Sequence, residues 1–263
     1  MRLFRKIYMQ REILTVARAI ENAERILVIT GAGLSADSGL PTYRGINGLY
    51  NGLTAEGMPI EEALSGPVLR DNPALCWKYL AELGRACLGA GPNAGHLAIA
   101  ELQRRKPQCW VLTQNIDGFH RRAGSPEDRL ISIHGDIEPL YCQSCGAQDS
   151  NLLAALERGL PPKCQACAGI LRPPVVLFEE MLPEPAIDLL YSELNKGFEL
   201  VLVIGTSASF PYIYEPVLRT RRAGGITVEI NPDLTALSRN VDVRLEGKAL
   251  DVLEKLLSHT SSE

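Results

Sequence analysis

Four cysteines stand in two pairs, Cys142-x2-Cys145 and Cys164-x2-Cys167, with 18 residues between the pairs. Each short turn can present two thiolates, and four thiolates close a tetrahedral shell around Zn2+ without leaving a position for water. The expectation is one structural zinc that holds a small module together and takes no part in chemistry. Gly146 suits the tight chain reversal beside such a metal. Cys76, Cys87 and Cys109 lie singly among apolar residues. An odd total of seven cysteines, with no secretory signal at the N-terminus, argues against disulfides and for a reducing cytoplasm.

A second group of residues points to phosphate binding. Gly31-Ala32-Gly33-Leu34-Ser35-Ala36 follows the G-x-G-x-x-[GA] pattern directly after a β-branched run. Such glycines let backbone N–H groups approach a pyrophosphate. A dehydrogenase unit would place an acidic ribose ligand about 20 residues later, on a second strand. Here that position falls at Glu56, in a Gly- and Pro-rich stretch with no strand before it. Hydride transfer is therefore a poor fit. His134 follows Leu130–Ile133 and precedes Gly135-Asp136. Its imidazole could project from a strand end, and an unshifted histidine titrates near 6.5, which suits a general base at neutral pH. His96 and His120 are alternatives without that placement.

These residues need a frame. Residues 10–23 carry apolar positions at helical spacing. Arg25–Thr30, Cys109–Leu112, Leu130–Ser132, Val175–Leu177, Leu200–Ile204 and Thr227–Ile230 read as buried strands. Ala74–Leu88, Ala94–Arg105 (capped by Asn93), 184–196, 212–223 and 248–257 read as helices, and 42–72 as a loop with short helical pieces. Alternating strands and helices predict an α/β fold with a parallel sheet covered on both faces. The cysteine stretch, roughly 138–171, breaks the alternation and reads as an excursion from the sheet. The expected organisation is a large domain from 1–41, 91–137 and 172–263, a loop and helical insertion at 42–90, and a zinc module at 138–171.

Composition bounds the partners. The chain has 263 residues, 46% hydrophobic and 22% charged, with 27 Lys+Arg against 31 Asp+Glu and a formal charge of −4. A protein held to nucleic acid by phosphate contacts is usually basic, so no nucleic-acid partner is expected. The longest apolar runs fall far short of the roughly 20 residues that cross a bilayer, so no membrane partner is expected either.

Taken in order, the motifs resemble those of the sirtuins, the NAD-dependent protein deacylases. Gly31 to Arg44 (GAGLSADSGLPTYR) is similar to that family's opening NAD motif, Thr113-Gln-Asn-Ile-Asp117 to its second and His134-Gly-Asp136 to its third. The paired cysteines, Gly205-Thr-Ser207 and Glu229-Ile-Asn-Pro232 follow in the family's order. The resemblance spans roughly residues 20–257. It implies a Rossmann-like NAD-binding sheet, a small zinc-binding module and a helical insertion, with NAD and substrate meeting between them.

Site roles follow from that resemblance. Gly31, Ala32, Gly33, Ser35, Ala36, Asp37, Tyr43, Arg44, Gln114, Asn115, Ile116, Asp117, Gly205, Thr206, Ser207 and Asn231 would bind NAD. Asn115 and Asp117 would line the nicotinamide and ribose pocket, Asn115 with a part in catalysis, and Asp117 would hold the carboxamide. In the family's reaction the acyl oxygen of a modified lysine attacks C1′ of the nicotinamide ribose and nicotinamide leaves. His134 would then draw a proton from a ribose hydroxyl so that the ribose can attack the imidate carbon, and hydrolysis would give free lysine and an O-acyl-ADP-ribose. The partners would be acyl-lysine proteins or peptides, recognised by Val176, Phe178 and Glu179. The family's Val-Val-x-Phe-Gly-Glu segment has glycine where this chain has Glu179. Desuccinylating members carry a Tyr-x-x-Arg pair where this chain has Leu80 and Leu83, so a neutral acyl group is expected. Two other readings use the same cofactor site. One is a mono-ADP-ribosyltransferase or NAD glycohydrolase, the other a non-enzymatic NAD-sensing module.

Overall fold

The structure is a computed structural model that describes residues 2–42 and 53–260. Tyr43 and Arg44, expected at the cofactor, lie outside the described residues. The chain opens with α1 (Arg2–Asn22), β1 (Arg25–Thr30) and the single-turn α2 (Ala32–Ser35). After the loop come α3 (Ile60–Ala63), α4 (Gly66–Asp71), α5 (Pro73–Gly89) and α6 (Ala94–Arg105). Then follow β2 (Gln108–Thr113), α7 (Phe119–Arg122) and β3 (Leu130–Ser132). The cysteine segment carries β4 (Leu140–Cys142), β5 (Gln148–Asp149), α8 (Leu152–Glu157) and β6 (Leu171–Arg172). The chain closes with α9 (Glu184–Lys196), β7 (Leu200–Ile204), α10 (Pro211–Arg222), β8 (Ile226–Ile230), β9 (Val243–Leu245) and α11 (Ala249–Thr260).

Among the described residues, six parallel strands form one sheet in the order β3-β2-β1-β7-β8-β9. The sheet is buried on both faces because its central strands carry continuous apolar runs (Ile26–Ile29, Cys109–Leu112, Leu200–Ile204), and period 2 sends alternate residues to opposite sides. Ile26, Val28, Val111, Leu200 and Leu202 join the core under α1, α6 and α11, whereas Leu27, Ile29, Leu112, Val201 and Val203 join the core under α9 and α10. Ile26 to Ile29 are completely buried, and each such side chain is worth about 1.5–3 kcal/mol of transfer free energy. The chain moves outward from β1 through β2 to β3 and then returns to the other side of β1 as β7. That reversal makes a switch point between the carboxyl ends of β1 and β7, the usual place for a ligand in an open α/β sheet.

A third core joins the helical insertion to the cysteine segment. Trp77 and Leu80 from α5 pack with Leu140, Cys142, Leu152 and Leu171. Trp77 is fully buried and its Nε1–H donates to the Leu171 carbonyl at 3.0 Å. The cysteine segment carries its own antiparallel sheet, β5-β4-β6. α5 starts where Asn72 accepts from Leu75 N–H with Pro73 in the first turn, and α6 starts at the expected cap, Asn93.

Two expectations about strands need correction. Val175–Leu177 is extended, with Val175 and Leu177 buried and Val176 half-buried, but it belongs to no sheet. Pro173 and Pro174 before it carry no N–H for a ladder, and Glu179 after it turns left-handed at φ 64°. β9 is a strand that the sequence reading lacks; its Val-Arg-Leu run is too short to show a period. α1 also begins eight residues before the expected start.

Candidate active site at the carboxyl ends of the central strands

The glycine pattern after β1 meets the Gly205 loop after β7 backbone to backbone. Gly33 N–H donates to the Gly205 carbonyl at 2.8 Å, and Gly31 N–H to the Ile204 carbonyl at 3.1 Å. A Cβ on Gly33 would stand 2.7 Å from Gly205 Cα, and one on Gly31 would stand 2.7 Å from Thr206 Cβ. A side chain is therefore excluded at Gly31 and Gly33, and their bare backbone faces the switch point. Ala32, Ala36 and Asp37 line the same cleft, which has a volume of about 1060 Å³. Gln114 Nε2 donates to Thr206 Oγ1 at 2.7 Å, and Asn231 Nδ2 to the Thr206 carbonyl at 3.0 Å. Three separate strand ends are thereby fixed to one another, with Ser207 beside them in the cleft.

A side recess opens from this cleft between Ala32, Asn115, Ile116 and Asp117. Asn115 Nδ2 donates to the Gly31 carbonyl at 3.0 Å and to Ser35 Oγ at 3.1 Å. Ser35 in turn donates to Asp117 Oδ2 at 2.7 Å, and Phe119 N–H to Asp117 Oδ1 at 2.9 Å. Burial pushes the Asp117 carboxyl above its ordinary range, against these two bonds that favour its charged form. Ser35 is itself buried, so its hydroxyl braces the aspartate.

The three candidate histidines separate clearly. His96 and His120 are fully buried behind the recess, edge to face with ring centroids 5.1 Å apart, and burial holds them down at about 4 and about 3. His96 completes the α6 capping box, and His120 Nε2 bonds Thr30 Oγ1 at 2.9 Å. His134 alone of the three lines the cleft. Its Nδ1 bonds the Gln114 carbonyl at 3.0 Å. A carbonyl only accepts, so Nδ1 carries the hydrogen and Nε2 is the basic nitrogen. Burial lowers the His134 pKa, partly offset by that carbonyl bond, so the imidazole is neutral at pH 7. Sequence reasoning missed the group that meets Nε2: the Tyr212 hydroxyl, 2.7 Å away. Its position five residues after Ser207, in the same strand-end loop and helix start, was the available signal.

Another wall of the cleft is built by the 174–180 segment. Val176 N–H donates to the His134 carbonyl at 2.9 Å, tying this segment to His134. Phe178 N–H donates to the Leu64 carbonyl at 3.0 Å, and Gly66 N–H to the Phe178 carbonyl at 2.9 Å. Val176, Phe178 and Glu179 line the cleft with Leu64, Leu80 and Leu83. Glu179 is exposed in left-handed backbone, which explains why glycine suits this position. Glu180 instead turns inward to a two-point contact with Arg172 at 2.7 and 2.9 Å.

The four cysteine sulfurs converge, all within 4.8 Å of one another. Cys142–Cys167, Cys145–Cys164 and Cys145–Cys167 Sγ separations are 3.4, 3.8 and 3.4 Å. Tetrahedral zinc at about 2.3 Å from each sulfur needs them about 3.8 Å apart. The donor set fits zinc. Ser144 N–H points at Cys142 Sγ and Ala166 N–H at Cys164 Sγ, both at 3.4 Å, the outer-shell bonds that orient thiolate ligands.

A sequence model of the Sir2 family matches residues 31–211. The chain belongs to the Sir2 family. It is 71% identical over 247 residues to NAD-dependent protein deacylase 2 of Pseudomonas aeruginosa, covering 94% of this chain and 96% of that one. It is 64% identical to NAD-dependent protein deacylase 2 of Pseudomonas syringae pv. tomato, covering 94% and 100%. A solved Sir2 homolog–NAD complex superposes with a TM-score of 0.81 at 36% identity, covering 94% and 93%. A mutant Sir2 homologue with 2′-O-acetyl ADP ribose superposes at 0.82 with 35% identity, covering 94% and 95%. The Sir2 fold thus accounts for the parallel sheet and the cysteine cluster together. Among the described residues of this Sir2 chain, no helix is long and apolar enough to cross a membrane.

Proposed function

We propose that this chain is an NAD-dependent protein-lysine deacylase with His134 as its general base. The observation that carries the reading is the basic Nε2 of His134 at a cleft where bare glycine backbone, the Asn115–Asp117 recess and the Phe178 segment converge. NAD, when bound, supplies an electrophilic ribose carbon and nicotinamide as leaving group.

The chain's own groups divide the work. Gly31, Gly33 and Gly205 give the pyrophosphate an approach to backbone N–H groups. Ala32, Ala36, Asp37, Gln114, Thr206, Ser207 and Asn231 form the rest of that wall, and Tyr43 and Arg44 are assigned to the ribose–phosphate side by the motif alone. Asn115, Ile116 and Asp117 border the nicotinamide recess, with Ser35 as the brace. His134 Nε2 takes a ribose hydroxyl proton, so that the ribose oxygen can take over the acyl carbon. Water then adds at the acyl carbon and the bond to the lysine nitrogen breaks, so the products are free lysine, nicotinamide and an O-acyl-ADP-ribose. Cys142, Cys145, Cys164 and Cys167 hold zinc away from this chemistry, since four thiolates saturate it.

The substrate is an acyl-lysine protein or peptide. It lies along the Val176–Glu179 segment, with Phe178 against the acyl-lysine. Leu64, Leu80 and Leu83 supply an apolar wall with no guanidinium, which favours a neutral acyl group. A solved Sir2 with p53 peptide and NAD+, at 26% identity and a TM-score of 0.80, supports peptide as the substrate class. We assign the chain to the cytoplasm, where a reducing thiol pool suits seven cysteines that form no disulfide. The test is acetyl-lysine peptide turnover by wild type and His134→Ala. Turnover should fall by about two to four orders of magnitude while folding and NAD binding persist. Near-normal deacetylation by folded His134→Ala would remove this residue from the mechanism.

A further inference from the structure

The loop after β7 does more than expose Gly205. Gly205 and Ala208 both take left-handed backbone, at φ 61° and 52°. A residue with a Cβ adopts that region only where its surroundings impose it. Ala208 is fully buried, and its N–H is bonded to Thr206 Oγ1 at 3.1 Å. Two turns of opposite hand to the normal chain thus bring the next aromatic residues back over the cleft. Phe210 and Tyr212 stack with ring centroids 5.3 Å apart and planes 9° from parallel. Each then meets the His134 ring edge-on, at 6.2 Å and 88° for Phe210 and 5.8 Å and 84° for Tyr212.

The hydrogen between Tyr212 and His134 has one consistent place. Nδ1 gives its hydrogen to the Gln114 carbonyl, so the Tyr212 hydroxyl donates to the Nε2 lone pair. That lone pair is the one that must accept the ribose proton. We infer that Tyr212 is a positioning residue for His134: its hydroxyl holds Nε2 and the Nδ1–H tautomer, and a ribose hydroxyl must replace it before reaction. This rests on His134 being the base. Burial supports the assignment of roles, since it lowers His134 and pushes the Tyr212 phenol up to about 12, leaving both neutral around pH 7. NAD binding then includes the loss of one hydrogen bond within the protein.

Tyr212→Phe removes the hydroxyl and keeps the ring stack, so it isolates that bond. In NAD-free protein the His134 Nε2 nitrogen-15 signal should move downfield, toward an unbonded pyridine-type nitrogen. The Kd for NAD should fall about three- to tenfold, the worth of one hydrogen bond, and the gain should appear in KM for NAD rather than in kcat. In a His134→Ala background, Tyr212→Phe should leave the Kd for NAD unchanged, because the phenol then has no imidazole to hold. Circular dichroism and zinc content establish that each variant is folded. Unchanged nitrogen signals and Kd in folded Tyr212→Phe would overturn the inference, as would a fall in kcat at constant KM. If NAD fails to move the His134 Nε2 signal in wild type, the assignment of His134 as the base falls instead.

Discussion

Gly135→Ala is predicted to disable the enzyme through the backbone. Gly135 sits at φ 74°, and a Cβ there would lie 1.7 Å from the Pro174 carbonyl oxygen. An ordinary carbon–oxygen contact is about 3.3 Å, so the two chains must part by about 1.6 Å. They are the chains that carry His134 and Val176, joined by the Val176 N–H bond to the His134 carbonyl at 2.9 Å. Losing that bond costs about 0.5–1.5 kcal/mol, and the left-handed alanine about 1 kcal/mol more. Overlap strain brings the expected destabilisation to about 2–4 kcal/mol. A displacement of about 1 Å at a reacting group costs about 100-fold in rate. Urea unfolding and kcat/KM for NAD on protein of verified zinc content measure both effects. Gly224→Ala is the control: its φ is 85°, with nothing within 4 Å of the added Cβ. It should lose about 1 kcal/mol and keep full activity. A Gly135→Ala protein with kcat/KM within threefold of wild type would refute the reasoning.

The acid limb of kcat/KM should lie below pH 6.5, because burial lowers His134; the neutral base exists above its pKa and is lost as pH falls through it, and a limb above 6.5 in a pH profile would contradict this. Elemental analysis should find one zinc per chain, and chelation should unfold the cysteine segment and the helices sharing its core before any direct effect on chemistry; reduced, active protein without zinc would contradict this. Acetyl-lysine peptide should be turned over far faster than succinyl-lysine peptide, since an unpaired buried carboxylate costs several kcal/mol; equal kcat/KM values would mean that another cation meets it. Glu179→Gly should stabilise the protein by about 1 kcal/mol in urea unfolding, through relief of a left-handed side-chain position; lower stability would show that the Glu179 side chain is a structural contact.

Much of the fold is written locally. β1, β2 and β7 are legible because successive residues must bury on opposite faces of a covered sheet, which demands continuous apolar runs. Asn93 and the cysteine spacings are legible because caps and thiolate turns are set within three residues. The Val175–Leu177 run misleads for a physical reason: its composition is that of a strand, but flanking prolines deny it a ladder. The shared core of Trp77, Leu140 and Leu171 depends on residues far apart in the chain, with no repeat to announce it. The site divides the same way. Its glycines, Asn115, Asp117 and His134 sit at strand ends, where a motif can mark them. The reason for Gly135 lies in Pro174, and the partner of His134 lies 78 residues away at Tyr212. No local pattern encodes either contact.

The central claim is that NAD cleavage is coupled to removal of an acyl group from lysine. The measurement is the mass and molar ratio of all products when the protein acts on NAD and an acetyl-lysine peptide. Equal amounts of nicotinamide, O-acetyl-ADP-ribose and deacetylated peptide are predicted. Free ADP-ribose or ADP-ribosylated protein, with the peptide still acetylated, would contradict it.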